Sequence, residues 1–229
     1  MLSGMDLVVV DVETTGLLPE EADLIEIGAV RLSAGQASPG QASAGQASPG
    51  QPCGAQVTGE FFTLIRPPGA VPAAITELTG IDDAMVRRAP PAATALRAFL
   101  AFARGAVLVA HNAAFDIAFL TRGCAGAGLP WPPAAVLDTA VLARLLLSPE
   151  QVPDCKLATL AAYFGTGAEP CHRALADAQA TAEVLAGLLR RVRSVAATAQ
   201  VGEPAGPAWP PRQATQAGQA PLAGAAAVR

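Results

Sequence analysis

Apolar runs of strand length alternate with helical patterns along most of the 229-residue chain. Five apolar runs bounded by turn residues predict strands, at 6–12, 24–32, 59–67, 106–111 and 135–139. Apolar residues at helical spacing predict helices at 71–80, 91–105, from about 113, 140–147, 156–165 and 172–193. Three consecutive strands, followed by strands that alternate with helices, predict an α/β domain around a mixed five-stranded sheet flanked by helices.

Two segments lack the residues needed to build a core. Residues 35–51 repeat the pentapeptide Gly-Gln-Ala-Ser-Pro/Ala and are predicted to form a flexible insertion at the tip of a hairpin. Residues 195–229 are rich in Ala, Gly, Pro and Gln without periodicity, and this tail is predicted to be disordered. The domain itself is therefore predicted to span residues 5–194.

Composition narrows the class of protein. The formal net charge is −4, so the chain lacks the basic character that nucleic-acid-binding proteins usually show. Four cysteines without a CxxC pair, and only two histidines, argue against a structural zinc site and favour reduced thiols. The N-terminus lacks the Lys and Arg of a signal peptide, and no run of about 18 apolar residues occurs. We therefore expect a soluble, cytoplasmic protein with no membrane partner.

Two carboxylates interrupt the first apolar run. Asp11 and Glu13 are two residues apart, so their side chains point to the same face of a strand that is otherwise buried. Burial and mutual repulsion make this arrangement costly, unless a divalent cation such as Mg²⁺ or Mn²⁺ supplies positive charge. The TTG that follows suggests a tight turn at Gly16, with the N–H groups of Thr15 and Gly16 free to approach a ligand.

Further acidic residues occur in contexts that predict burial. Asp116 lies within the apolar helical segment that leaves the strand at 106–111, where an unpaired carboxylate is costly. His172 and Asp177 are five residues apart, a spacing of about 140° on a helix. They therefore cannot share one helical face. We expect Asp177 on the long C-terminal helix and His172 just before it, on more mobile backbone.

Three motifs carry a resemblance to a known family. DVETTG (11–16), HNAAFD (111–116) and HRALADA (172–178) resemble the three exonuclease motifs of the DnaQ-like family with the DEDDh pattern. This family includes the proofreading epsilon subunit of bacterial DNA polymerase III, ribonuclease T and oligoribonuclease. The resemblance covers about residues 6–191, apart from the repeat, and three motifs in the right order are far more specific than one. It implies a ribonuclease H-like fold and 3′→5′ release of nucleoside 5′-monophosphates.

The resemblance also implies a role for each acidic residue. Asp11, Glu13, Asp116 and Asp177 would hold two divalent cations, Mg²⁺ or Mn²⁺, with Asp11 shared between them. His172 would be the general base that takes a proton from the attacking water. A histidine rather than a tyrosine in the third motif indicates the DEDDh branch.

Substrate contacts follow from the same resemblance. The residues implied to surround the terminal nucleotide are Thr14, Thr15, Gly16, Leu17, His111, Asn112 and Phe115. Leu17 would wedge against a base. Two of these residues have alternative structural interpretations, since Phe115 could pack in the core and His111 could be a histidine satisfied at a strand end. Arg173, beside the predicted base, could touch phosphate, although a solvated surface arginine is the favoured interpretation.

Three functions remain open at this stage. The favoured one is a 3′→5′ exonuclease acting on the 3′ ends of single-stranded DNA in proofreading or repair, within a polymerase or repair complex. The first alternative is an exoribonuclease on the same scaffold, which the low aromatic content disfavours because RNA bases stack on aromatic side chains. The second alternative is an accessory module that binds nucleic-acid ends or a polymerase, which the presence of all five catalytic positions disfavours.

Overall fold

The computed structural model describes residues 5–34, 55–132 and 135–201. The strands are β1 (Leu7–Thr14), β2 (Leu24–Ala34), β3 (Ala55–Leu64), β4 (Val107–Ala110) and β5 (Val136–Asp138). The helices are α1 (Ala73–Thr79), α2 (Asp83–Val86), α3 (Ala92–Phe102), α4 (Ala114–Gly126), α5 (Thr139–Leu146), α6 (Leu157–Phe164) and α7 (Ala174–Val201). All five predicted strands are present, and among the elements of the described residues the short helix α2 is the one that the sequence pattern did not predict. The repeat at 35–51, which is predicted to form a flexible insertion, lies outside the described residues.

The five strands form one mixed sheet in the order β3-β2-β1-β4-β5. β1 pairs antiparallel with β2, and β2 pairs antiparallel with β3. β1 and β4 are parallel, as are β4 and β5. The predicted mixed five-stranded sheet is therefore confirmed. Because β1 is the central strand and β4 runs parallel to it, residues at their carboxyl ends meet at the same edge of the sheet.

Both faces of β1 are buried, which explains its uninterrupted apolar run. Val8, Val10 and Val12 pack with Phe99 of α3 and Leu120 of α4 on one face. On the other face, a second cluster joins Leu7 and Val9 of β1 to Ala178 and Leu185 of α7. Helices α5 and α6 pack against α7 rather than directly on the sheet centre. The first strand is thus enclosed between α3–α4 and α7.

The start of α7 lies unusually close to the sheet at Gly28 of β2. A Cβ built on Gly28 would lie 2.1 Å from the backbone nitrogen of Leu175 and 2.2 Å from the carbonyl carbon of Ala174. Only glycine permits this approach. Since Gly28 pairs with Asp11 in the β1–β2 register, the approach brings the first turn of α7 next to the predicted catalytic strand.

The C-terminal helix is longer than the sequence pattern predicted. α7 continues to Val201, so the predicted disorder of residues 195–201 is wrong. The reason is local, because no Gly or Pro occurs after Gly187 until Gly202, and the segment between them is rich in helix formers. Residues 202–229 lie outside the described residues. The prediction that the domain ends at residue 194 therefore stays a prediction. Among the described helices, none is both long and apolar enough to cross a membrane.

Candidate active site

Asp11 and Glu13 lie on the face of β1 that packs against α7. Their positions continue the alternation of Leu7 and Val9, and both side chains are half-buried. β1 extends through Thr14, so Glu13 lies inside the strand rather than after it. The pairing of β1 with β2 shifts by one residue immediately after Glu13, and such irregularities are common next to active sites because they redirect side chains.

Asp116 reaches the same region from α4. It lies in the first turn of this helix and is only 3% exposed. Its Oδ1 accepts a hydrogen bond of 3.1 Å from the backbone N–H of Val12, which fixes the start of α4 against β1. The prediction that Asp116 is buried is therefore confirmed.

Asp177 and His172 approach Glu13 from the third side. Asp177 is buried in the first turn of α7, while His172 precedes the helix and has an exposed side chain. One ligand atom from each of Glu13, His172 and Asp177 can be chosen so that all three lie within 4.8 Å of one another. His172 has a φ of 56°, a left-handed conformation that is uncommon for residues other than glycine. Because His172 lies in this turn and not in the helix, His172 and Asp177 can approach the same site although residues five apart do not share a helical face.

The carboxylates shift one another toward the protonated form. Burial, followed by the charges of Asp116, Asp177 and Glu13, raises the pKa of Asp11 well above its ordinary value. Burial raises the pKa of Asp116 to about 8, although the hydrogen bond from Val12 N–H opposes the shift.

Glu13 and Asp177 follow the same trend. Burial and the charge of Asp177 raise the pKa of Glu13 to about 8, with Arg173 acting in the opposite direction. Burial also raises the pKa of Asp177, opposed by the hydrogen bond from Cys171 N–H. A cluster of this kind accepts divalent cations readily, because they provide the charge that desolvation and repulsion demand. The oxygen ligands fit hard cations such as Mg²⁺ and Mn²⁺.

Glu26 belongs to this region, and sequence reasoning missed it. It is fully buried and lies directly opposite Glu13 on β2. Its Oε1 accepts from Arg173 Nη2 at 2.7 Å, and its Oε2 accepts from Ala174 N–H at 2.7 Å. The favoured interpretation of Arg173 as a solvated surface residue is therefore wrong. A signal was available, because Glu26 interrupts the apolar run at 24–32 in the same way that Asp116 interrupts its helix.

The TTGL segment, residues 14–17, directly follows Glu13 in the chain. Thr14 is buried, and its hydroxyl donates to the carbonyl of Gly16 at 2.6 Å. The N–H of Thr15 donates to the carbonyl of Asp23, and Thr15 Oγ1 accepts from Asp23 N–H, both at 2.9 Å. The expectation that Thr15 N–H is free to approach a ligand is therefore wrong. Leu17 is 80% exposed and is available to contact a ligand.

His111 and Asn112 line a cavity of about 810 Å³ on the α5–α6 side, together with Arg144 and Lys156. His111 Nδ1 lies 2.9 Å from Thr139 Oγ1. Burial lowers the pKa of His111, and a backbone hydrogen bond with Cys155 opposes the shift. The lining of this cavity does not include residues 14–17, so these two predicted substrate-binding groups do not share one cavity.

Two further side chains support the second motif. Phe115 is half-buried and packs on Phe119 with ring centroids 4.9 Å apart, which favours the core-packing interpretation. Asp138, which sequence reasoning also missed, accepts from the N–H groups of Asn112, Ala113 and Ala140. Its carboxylate therefore connects the start of α4 to the start of α5.

Comparisons with known proteins agree with this architecture. Residues 8–185 match the family described as "Exonuclease". A Mycobacterium tuberculosis protein, named as a candidate bifunctional exonuclease/endonuclease, is 42% identical over 192 residues; the match covers 81% of this chain and 26% of that protein. A PolC-type DNA polymerase III of Caldanaerobacter subterraneus is 37% identical over 190 residues, covering 83% of this chain and 12% of the polymerase. The chain thus spans about a quarter or less of these relatives.

Solved structures show the same fold. Escherichia coli exonuclease I in complex with a dT13 oligonucleotide has a TM-score of 0.66 at 16% identity, covering 85% of this chain and 43% of that one. The nuclease domain of 3′hExo, a DEDDh family member bound to rAMP, has a TM-score of 0.61 at 19% identity, covering 81% and 92% of the two chains. The predicted ribonuclease H-like fold is confirmed. The match over residues 8–185 shows that the chain belongs to the exonuclease family, as its resemblance to the DnaQ-like DEDDh enzymes predicted.

Proposed function

We propose that this exonuclease removes nucleotides, as 5′-monophosphates, from the 3′ ends of single-stranded DNA and depends on divalent cations. The observation that carries the proposal is the meeting of four carboxylates and one histidine at the end of β1. Glu13, His172 and Asp177 come within 4.8 Å of one another there. Asp11 and Asp116 adjoin them, since the charge of Asp116 helps to raise the pKa of Asp11.

The four carboxylates would hold two cations, Mg²⁺ or Mn²⁺, and the resemblance to the DEDDh enzymes implies that Asp11 would be shared between them. Bound in this way, the cations would supply the Lewis acidity that activates water and stabilises the leaving 3′ oxygen. Asp116 is held by Val12 N–H and Asp177 by Cys171 N–H. These hydrogen bonds preorganise the ligands and reduce the ordering that cation binding requires.

His172 would act as the general base. Its imidazole is exposed beside Glu13 and Asp177, where an attacking water can reach a ring nitrogen. Imidazole exchanges protons near neutral pH. Because the ring is open to solvent, it can pass the proton on after each cycle.

The substrate strand would cross the carboxyl edge of the sheet. Leu17, an exposed apolar side chain four residues after Glu13 in the chain, would stack against the terminal base. In the cavity that His111 and Asn112 line, the side chains of Arg144 and Lys156 would contact the phosphates that follow. Asp154 also lines this cavity and lies 3.6 Å from the Lys156 ammonium, so Arg144 is the lining cation without that ion pair.

A role in proofreading or repair within a larger assembly is the favoured context. The support comes from relatives that are named as forms of DNA polymerase III and are much longer than this chain. We therefore include binding to a polymerase or to a repair complex in the proposal.

An exoribonuclease is the second candidate, and one observation favours it. The DEDDh neighbour is bound to rAMP, which shows that this fold accepts a ribonucleotide in that protein. Discrimination depends on how a pocket treats the 2′-OH, while the catalytic residues would be the same for either nucleic acid.

The test is a matched digestion. Purified protein is incubated with 5′-labelled single-stranded DNA and RNA of identical sequence, with Mg²⁺ or Mn²⁺, and with EDTA as control. A metal-dependent ladder that shortens DNA from its 3′ end supports the proposal. A ladder on RNA alone favours the exoribonuclease. If a well-folded protein gives no ladder on either substrate, the proposed activity is contradicted and the accessory-module alternative is favoured.

A further inference from the structure

The backbone that carries His172 is fastened on both sides. On its N-terminal side, Cys171 N–H donates to Asp177 Oδ1 at 2.8 Å. On its C-terminal side, Arg173 and Ala174 both donate to Glu26. Between these points His172 has a φ of 56°. Such conformations persist only where the surroundings enforce them, and they concentrate at functional sites.

Glu26 is the anchor on the C-terminal side. It is 0% exposed, and a buried carboxylate is costly unless it is paired and hydrogen-bonded. Arg173 donates to it through Nη2 at 2.7 Å and through Nε at 3.1 Å. The Ala174 N–H, at the first residue of α7, donates to the other oxygen at 2.7 Å. Charge-assisted bonds from two nitrogens of one guanidinium fix direction as well as distance.

We propose that Glu26 is a positioning residue for His172. Through Arg173 and the Ala174 N–H, it holds the left-handed turn at residue 172 and keeps the imidazole beside Glu13 and Asp177. Glu26 acts through these two neighbours rather than on the substrate. The inference rests on the proposed role of His172 as general base, and it adds to the three family motifs a residue on β2 that lies 148 positions from Ala174.

The informative variant is Glu26→Gln. A glutamine of the same shape keeps one acceptor oxygen but places an N–H₂ donor against either Ala174 N–H or Arg173. We expect kcat to fall by about 10²-fold, since misplacement by about 1 Å can cost that much, while KM changes little. Glu183→Gln is the matched control, because Glu183 on α7 also accepts from a backbone N–H, that of Gly167 at 2.6 Å. This control is expected to retain full activity.

A double-mutant cycle separates positioning from a general loss of structure. If Glu26 acts through His172, then Glu26→Gln adds no further loss of rate when His172 is already replaced by Ala. An additive loss in the double variant would overturn the proposal, because Glu26 would then act on the cations or on the fold.

A readout that does not depend on activity comes from the histidine content. The chain has only two histidines, so a protein labelled at the histidine rings gives two ring signals in NMR spectra, assigned with His172→Ala. Glu26→Gln is expected to shift the His172 signal and leave the His111 signal in place. An unchanged His172 signal, or equal shifts of both signals, would overturn the proposal.

The digestion tests the proposed function and the NMR comparison tests the role of Glu26, so either proposal can be contradicted without the other. An inactive wild-type chain would contradict the proposed function, whereas the NMR comparison would still decide whether Glu26 positions His172. If Glu26→Gln does not fold, Arg173→Lys replaces it. Lysine keeps the positive charge but cannot bond to Glu26 through two nitrogens, so the same selective shift of the His172 signal is expected.

Discussion

Glu13 of β1 and Glu26 of β2 lie directly opposite each other in the antiparallel ladder. Like charges in this arrangement destabilise a sheet. The Arg173 guanidinium bonds to Glu26 at 2.7 Å and also opposes the upward shift in the pKa of Glu13. One arginine thus compensates a buried structural carboxylate, while the carboxylate beside it stays available for a cation.

Replacing Asp11 with Ala is expected to abolish nuclease activity because the carboxylate proposed to be shared between the cations is lost. The metal-free fold should be unchanged or more stable by a few degrees in Tm, roughly 1 kcal/mol, since repulsion among buried carboxylates is relieved. Digestion assays and thermal unfolding in EDTA measure the two effects. Glu60→Ala, at an exposed position on β3, is the control. Activity retained by Asp11→Ala would contradict the proposed cation site.

The stability of the metal-free protein is expected to decrease as pH rises toward 8. The pKa values of Glu13 and Asp116 rise from 4.5 and 3.8 to about 8 on folding. Between these limits the folded state binds more protons than the unfolded state, so the free energy of unfolding falls as pH increases. Thermal unfolding in EDTA across this range measures the effect. Excess Mn²⁺ should remove most of the pH dependence, and a metal-free Tm that rises with pH would contradict the pKa directions.

Gly28→Ala is expected to displace the start of α7. The added Cβ would lie 2.1 Å from Leu175 N, and backbone cannot yield as a flexible side chain can. We expect a loss of about 1–3 kcal/mol in stability, together with a large loss of activity, because His172 and Asp177 move with the helix. Gly59→Ala on β3 is the matched control, since its Cβ would meet only the Phe102 ring at 3.4 Å. Equal effects from the two variants would show that close packing at Gly28 has no special role.

Arg144 and Lys156 are expected to contact substrate phosphates. For a single-stranded ligand, each alanine variant should reduce the slope of log affinity against log salt by about 0.7, and it should raise KM more than it lowers kcat. Fluorescence anisotropy with a labelled oligonucleotide in EDTA measures binding without cleavage. Arg97→Ala, exposed on α3 across the sheet, provides the control. If the slope of log affinity against log salt is unchanged in both variants, the substrate strand does not contact Arg144 or Lys156, and the prediction is wrong.

Deletion of residues 36–51 is expected to change neither Tm nor turnover appreciably. The segment leaves β2 at Ala34 and returns to β3 at Ala55, and these two residues are paired in the sheet. A shorter connection can therefore close the same hairpin, and loop length has only a weak effect on closure entropy. Differential scanning calorimetry and the digestion assay provide the comparison. A clear loss in either would show that the repeat contributes to the fold or to the site.

Local patterns were sufficient for much of the architecture. The apolar runs located all five strands, and helical periodicity located every helix except α2, which is only four residues long. The end of α7 was placed too early, because low sequence complexity was weighed above the absence of helix breakers before Gly202. Glu26 was missed and Arg173 was misjudged for a different reason. The position of Glu26 within an apolar run indicates burial, but its partner Arg173 lies 147 positions away, and no local pattern identifies that partner.

The sequence by itself determined that Asp11 and Glu13 share one face, because side chains alternate along any strand. It also determined that Asp116 and Asp177 lie near the N-terminal ends of helices, since both occur early in helical patterns. Only the tertiary structure decided that these side chains meet. The approach of α7 to β2 depends on the missing Cβ of Gly28, and the turn at His172 depends on bonds to Glu26 and Asp177. Distances between such remote segments are set by packing and by buried hydrogen bonds, which act between elements rather than along the chain.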